Sequence, residues 1–136
     1  MQAIVISTDK NKINLELTHN ILTNSYWSKG VSVEDLKKAI DNSLCFGVYK
    51  NVKQIGFARI VTDTISFGYI SDVFIVETER GNAYSKQLMN AILFHQDLKA
   101  VKNWYLITMD AQGLYKQSGF DKFNPEFHLN YSVLFL

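Results

Sequence analysis

The stretch Ser71-Asp72-Val73-Phe74-Ile75-Val76-Glu77-Thr78-Glu79-Arg80-Gly81-Asn82-Ala83-Tyr84-Ser85-Lys86-Gln87-Leu88 decides how the chain is read. Its first six residues are mostly β-branched or aromatic, as in a strand, and a short acidic turn follows. From Gly81 to His95 the period changes: Tyr84, Leu88, Ala91, Ile92 and His95 fall on one helical side. A strand entering a helix through Arg-Gly and small residues builds an anion site. The first helical amides have no partner within the helix, and the helix dipole adds partial positive charge. Gly81, Ala83 and Ser85 leave the approach clear, and Arg80, one of only two arginines with Arg59, stands at its mouth. An ordinary strand-turn-helix with Gly81 as a turn residue accounts for the same pattern, so the pattern alone leaves both readings open. No Gly-Lys-Ser/Thr follows, which excludes a P-loop. The further glycines and ribose-binding acid of a dinucleotide fingerprint are also missing.

Upstream of this stretch, residues 44–49, 54–62 and 65–76 alternate in the manner of strands, with short polar turns between them. Such close spacing predicts antiparallel hairpins, because parallel neighbours need a long crossover. Alternation is strict over Ile65, Phe67 and Tyr69 and then blurs at Ile70-Ser71-Asp72; a one-residue slip of faces is what a β-bulge produces. Residues 2–7 predict a short first strand and 8–14 a loop. Helices are predicted over 18–29, stopped by Gly30, and over 33–42, where Ser32 caps the start and Glu34 and Asp35 meet the positive helix end. Downstream, 101–109 reads as a strand. Asp110 can then cap a short helix carrying Ala111, Leu114 and Tyr115, stopped by Gly119, and 127–136 reads as a last strand. The order β-α-α-β-β-β-α-β-α-β gives an α/β chain with a mixed sheet and is not doubly wound.

The 136 residues suit a single domain spanning 1–136, and 47% hydrophobic composition is enough to fill a core. Fourteen basic against thirteen acidic residues give a formal charge of +1, with no electrostatic reason to expect nucleic acid or an anionic membrane as partner. Three isolated histidines, His19, His95 and His128, lack metal-ligand spacing. The single Cys45 excludes an internal disulfide and any C-x-x-C motif. With no signal-peptide pattern at the start and no apolar run near membrane-spanning length, the expectation is a soluble cytoplasmic protein.

Taken together, the 71–88 stretch and Leu114-Tyr115-Lys116-Gln117-Ser118-Gly119-Phe120 resemble the GNAT family of N-acetyltransferases. Arg80-Gly81-x-Ala83-x-Ser85 corresponds to that family's pyrophosphate loop, written Q/R-x-x-G-x-G/A. Leu114-Tyr115-x-x-x-Gly119-Phe120 corresponds to its late L-Y-x-x-x-G-F signature. Tyr26-Trp27, Asn42 to Tyr49 and Gly56 to Asp63 look like a bacterial subgroup of unassigned substrate. The resemblance implies a mixed, mostly antiparallel sheet of six to seven strands with about four helices and splayed central strands. It also implies acetyl-CoA as acyl-donor cosubstrate and a small-molecule primary amine as acceptor. Main-chain groups of Phe74, Ile75 and Val76 would hold pantetheine, and amides of Arg80, Gly81, Asn82, Ala83, Tyr84, Ser85 and Lys86 the pyrophosphate. Thr78 departs from the family pattern, standing where Gln or Arg usually opens the loop, and Thr108 stands where a helix-capping Asn is common.

For catalysis the resemblance points to Tyr115 as the acid that protonates the departing thiolate and to Asp72 as the base. Each has a plainer reading, Tyr115 as a buried aromatic and Asp72 as a substrate-binding or turn-capping carboxylate. Asp110 is a weaker alternative for the base. Tyr26 and Trp27 line the acceptor pocket or belong to the core. Cys45 reads as a small core residue rather than a covalent nucleophile. Besides an enzyme, two readings stay open: a non-catalytic acyl-CoA-sensing module, and a dimerisation domain pairing through the apolar 131–136 strand.

Overall fold

The computed structural model describes residues 3–108, 112–122 and 131–135. Among them a sheet of seven strands forms: β1 (Val5–Ser7), β2 (Leu44–Lys50), β3 (Lys53–Thr62), β4 (Gly68–Ile75), β5 (Trp104–Thr108), β6 (Asp121–Lys122) and β7 (Tyr131–Phe135), in the order β1-β2-β3-β4-β5-β7-β6. Four helices accompany it: α1 (Leu15–Thr23), α2 (Val33–Asp41), α3 (Tyr84–Leu93) and α4 (Gln112–Lys116). The β1–β4 meander is antiparallel, as the short turns require, and the β4–β5, β5–β7 and β6–β7 pairs are parallel. The sheet is therefore mixed, as the resemblance implies, with most of its paired residues in the antiparallel meander. The short β6 was not foreseen. The last strand, β7, is paired on both sides, at Ser132 with Asp121 and Tyr105, and at Val133 with Lys122 and Leu106.

Two apolar clusters sandwich the sheet. Leu22 of α1 and Leu36 and Ile40 of α2 bury against Cys45, Phe57 and Phe74 on one face. Tyr84, Leu88, Met89 and Ile92 of α3 bury against Phe46, Val48, Ile60, Ile70, Ile75 and Trp104 on the other. Each fully buried Leu, Ile or Phe contributes roughly 1.5–3 kcal/mol, so the pairing of helix stripes with alternating strand residues holds both layers in place.

Local chemistry explains where element ends depart from the apolar pattern. The first helix begins earlier and ends sooner than 18–29. Asn14 caps it by accepting from the Leu17 amide at 3.0 Å. At the far end the Ser25 hydroxyl donates to the Leu22 carbonyl (2.6 Å), and the Gly30 amide closes back onto Thr23 (2.9 Å). Side-chain hydroxyls that capture backbone groups in this way compete with further helical turns. Ile65 and Phe67 lie outside β4 because the Asp63 carboxylate accepts the amides of Ile65, Ser66 and Phe67, committing them to a turn. The strand starts at Gly68, where an added Cβ would meet the Trp104 ring at 2.7 Å. Among the described residues no helix is long and apolar enough to cross a membrane.

Candidate active site

The site begins with a bulge. Phe57 pairs with Phe74, but Arg59 pairs with Ser71, so β4 carries one residue more than β3 over this interval. Asp72 takes the strain with φ 56°, a left-handed conformation that Asp tolerates better than most side chains. Above the bulge Ile70 faces the α3 cluster; below it Phe74 faces the α1–α2 cluster and Ile75 returns to α3. The slip of faces anticipated at Ile70-Ser71-Asp72 is thus present.

The bulge coincides with a parting of strands. β4 and β5 pair only from Gly68–Trp104 to Ile70–Leu106. Beyond that point β4 stays with β3 as far as Ile75, while β5 stays with β7 as far as Thr108. A gap opens along residues 71–75. The Val76 amide donates to the Ile55 carbonyl at 2.8 Å, so it is spent on the sheet. By antiparallel alternation the main-chain groups of Ile75 then point away from β3, towards the gap. The Ile75 carbonyl accepts from Arg80 Nε (3.0 Å). Arg80 is thereby built into the loop itself.

The loop continues as a 3-10 turn over Glu77–Glu79, then Arg80, Gly81 (φ 82°), Asn82 and Ala83 (φ 62°) before α3. Asn82 Nδ2 donates to the Glu79 carbonyl at 3.1 Å, and Lys50 Nζ meets Glu79 Oε1 at 2.7 Å. Ala83 at the N-cap makes no side-chain cap hydrogen bond, so the α3 amides are not closed off by a cap. A cleft of about 240 Å³ lies here, lined by Ile75, Glu79, Arg80, Gly81, Ala83, Tyr84, Ser85 and Lys86 and, from α4, Leu114 and Gln117. That is below the ~300–1,000 Å³ usual for a whole small-ligand site, so it has room for part of a ligand only. The Tyr84 side chain is buried in the core, which leaves its backbone as the part that can serve a ligand. The cleft brings together the two sequence motifs, the 80–86 loop and the Leu114-Tyr115 turn, which stand about thirty residues apart.

Tyr115 is half-buried, packs against the α3-side core and meets Phe120 edge-on at 6.3 Å. Asp110 lies outside the described residues. Asp72 is buried and both carboxylate oxygens are engaged: Oδ1 accepts from Ser28 Oγ (3.0 Å) and Oδ2 from Arg59 Nε (2.7 Å). Ser28 belongs to the α1–α2 loop, which also presents Tyr26 and Trp27. These two are exposed and pack edge-to-face at 5.0 Å, which rules out the core reading for both. Burial pushes the Cys45 thiol up to about 11, and the thiol points at the Ile40 carbonyl (3.8 Å), a poor arrangement for a nucleophile.

A family model described as an acetyltransferase (GNAT) domain matches residues 41–122, which include the bulge, the loop and the whole Leu114–Phe120 signature. The chain belongs to the GNAT family. It is an acyltransferase by that membership. A GNAT-family structure from Xanthomonas campestris pv. campestris is 38% identical, covers 90% of this chain and 87% of its own, and superposes with a TM-score of 0.87. A Gibberella zeae protein bearing an acetyltransferase name is 24% identical in an alignment that covers 82% of this chain and 75% of that protein. A GNAT structure from Elizabethkingia anophelis with acetyl-CoA bound shares the fold at 17% identity, a TM-score of 0.66, and coverage of 90% of this chain and 77% of that one. Sequence reasoning placed the GNAT loop and signature but missed Gln117 and Glu79 in the cleft and the Ser28 and Arg59 contacts to Asp72. The scarcity of arginine was the available signal for Arg59.

Proposed function

We propose that this GNAT protein transfers an acetyl group from acetyl-CoA to a primary amine by direct attack in a ternary complex. The observation that carries the reading is the convergence of an uncapped helix start and a strand gap on one cleft. The amides of residues 81–86 offer an anion seat for the pyrophosphate. The outward main-chain groups of Ile75 offer hydrogen bonds to an extended amide chain such as pantetheine, and an amide of the parted strand near Phe74 is placed to stabilise an oxyanion. When bound, acetyl-CoA supplies the activated thioester.

The chain's own residues divide the remaining tasks. Tyr115, adjoining the cleft through Leu114, holds the proton for the departing thiolate. Asp72 takes the proton that the acceptor ammonium must lose, through a water, since both its oxygens already accept hydrogen bonds. Tyr26 and Trp27 form a wall of the acceptor side. A cytoplasmic setting belongs to the same reading, supported by a lone buried cysteine with no disulfide partner. A homodimer that pairs through β7 would use its residues 134 and 135, beyond the pairing with β6.

A second reading, an acyl-CoA-sensing module without turnover, is favoured by the doubly engaged Asp72. Thermal unfolding with millimolar acetyl-CoA tests the shared cofactor site. Ligand at 100 times its Kd adds about 2.7 kcal/mol, a rise of roughly 5–15 °C. Thiol release with a panel of primary amines then separates enzyme from sensor. No thermal shift would refute both readings.

A further inference from the structure

The α1–α2 loop, residues 24–32, is stitched mostly to itself. The Ser28 amide donates to Ser25 Oγ (3.1 Å), the Val31 amide to the Ser28 carbonyl (3.0 Å), and His19 of α1 contacts the Val31 carbonyl at 2.9 Å. Among the described residues, the hydrogen bond that ties this loop to the sheet is Ser28 Oγ to Asp72 Oδ1 (3.0 Å). Its acceptor is itself held. Arg59 grips Asp72 through Nε and reaches Ser43 Oγ with Nη1 (3.2 Å) and Ser71 Oγ with Nη2 (3.4 Å). One guanidinium thus joins β3, the α2–β2 junction, the bulge of β4 and, through Asp72, the aromatic loop. Asp72 and Arg59 side chains are 5% and 17% exposed, so water competes little for these bonds.

We infer that Arg59 and Ser28 are positioning residues for acyl transfer: together with Asp72 they form a latch that docks the Tyr26-Trp27 loop on the β4 bulge, beside the gap. The meaning of that position rests on the acyl-transfer reading; the latch itself does not. Because the latch and the cofactor cleft lie on opposite sides of β4, breaking the latch frees the acceptor side and leaves cofactor binding in place. A covalently distant change, at Arg59, loosens the loop as effectively as one within it.

Hydrogen exchange with mass spectrometry tests this on the full chain. Ser28→Ala is expected to speed exchange of amides 24–31 about tenfold, the effect of losing one charge-assisted hydrogen bond. Ser28→Thr, which keeps a hydroxyl, should restore protection. Arg59→Lys keeps the charge but loses the fork, and should loosen the same segment. The acetyl-CoA thermal shift should persist in all three, and in thiol release the amine KM should rise with the acetyl-CoA KM unchanged. Unchanged exchange over 24–31 in both Ser28→Ala and Arg59→Lys would overturn the latch. So would a uniform rise through β2–β4, which marks general loss of stability. A wild-type protein with no acetyl-CoA shift and no thiol release would sink the acyl-transfer reading alone.

Discussion

Arg59 Nε and Asp72 Oδ2 lie 2.7 Å apart across β3 and β4, at the point where β4 carries its extra residue. The bulge beside the strand gap therefore has a buried ion pair at its centre. Burying two charges is costly, and the pair contributes little net stability beside an apolar equivalent; removing one partner is another matter, because it strands the other. Arg59→Met should cost about 3 kcal/mol, roughly 10 °C in Tm. The double variant Arg59→Met/Asp72→Asn should recover part of that loss, because no lone charge remains. Thermal unfolding of the three proteins gives the coupling directly.

Tyr115→Phe removes the phenolic hydroxyl and keeps the ring. As the acid for the thiolate, Tyr115 should account for a fall of roughly 10²-fold in kcat, with acetyl-CoA affinity nearly unchanged. A sensing module would show no change in either quantity. Steady-state thiol release beside the thermal shift distinguishes the two.

Ala83 holds φ 62° at the start of α3, where a Cβ costs about 1 kcal/mol against glycine. Ala83→Gly should stabilise the fold by roughly 0.5–1 kcal/mol despite the freer unfolded chain. Gly81→Ala should cost about 1 kcal/mol from backbone strain at φ 82°, since nothing lies within 4 Å of the added Cβ. Opposite shifts in Tm for two neighbouring positions are the signature to look for.

Asp63 is held well below the usual carboxylate range, first by the Ser66 hydroxyl and then by the amides of Ile65 and Ser66. A folded value below the unfolded one makes its contribution fully present above the unfolded pKa, near ~3.9, and lost as pH falls through the folded value. Asp63→Ala should thus lower Tm at pH 7, and the gap to wild type should close as the pH drops below about 3. A gap that stays constant down to pH 2 would mean the turn does not depend on that charge.

With its thiol pushed up to about 11, chiefly by burial, Cys45 should resist alkylation in the native protein at pH 8. In urea its thiol should react at an ordinary rate. Turnover should survive Cys45→Ala, against any covalent acyl-enzyme route.

Much of this arrangement was legible in the residues. The bulge was written in the broken alternation at Ile70-Ser71-Asp72. The turn into α3 was written in Gly81, Ala83 and the apolar spacing from Tyr84 to Ile92. Ser32 announced α2 and accepts from the Asp35 amide at 3.1 Å as a cap should. What stayed hidden depends on contacts between residues far apart in the chain. Ser28 and Asp72 are separated by 44 positions, and a serine in a polar loop carries no local mark of its partner. The early end of α1 was hidden for a related reason: Tyr26 continues the apolar spacing, but the Ser25 hydroxyl diverts the backbone.

The bulge at Asp72 also works as a phase adapter. Without it, Phe74 and Ile75 would exchange faces, placing a phenyl ring beneath α3 and a branched aliphatic beneath α1 and α2. Chain length is consequently fixed to the residue between Ile70 and Phe74. A one-residue deletion there would restore plain alternation, leaving Phe74 and Ile75 on their faces but removing the bulge beside the strand gap, whereas residues 63–67 belong to neither core cluster and their turn can change length more freely. Lineages of this protein should accordingly vary in length at that turn and keep a constant count across the bulge.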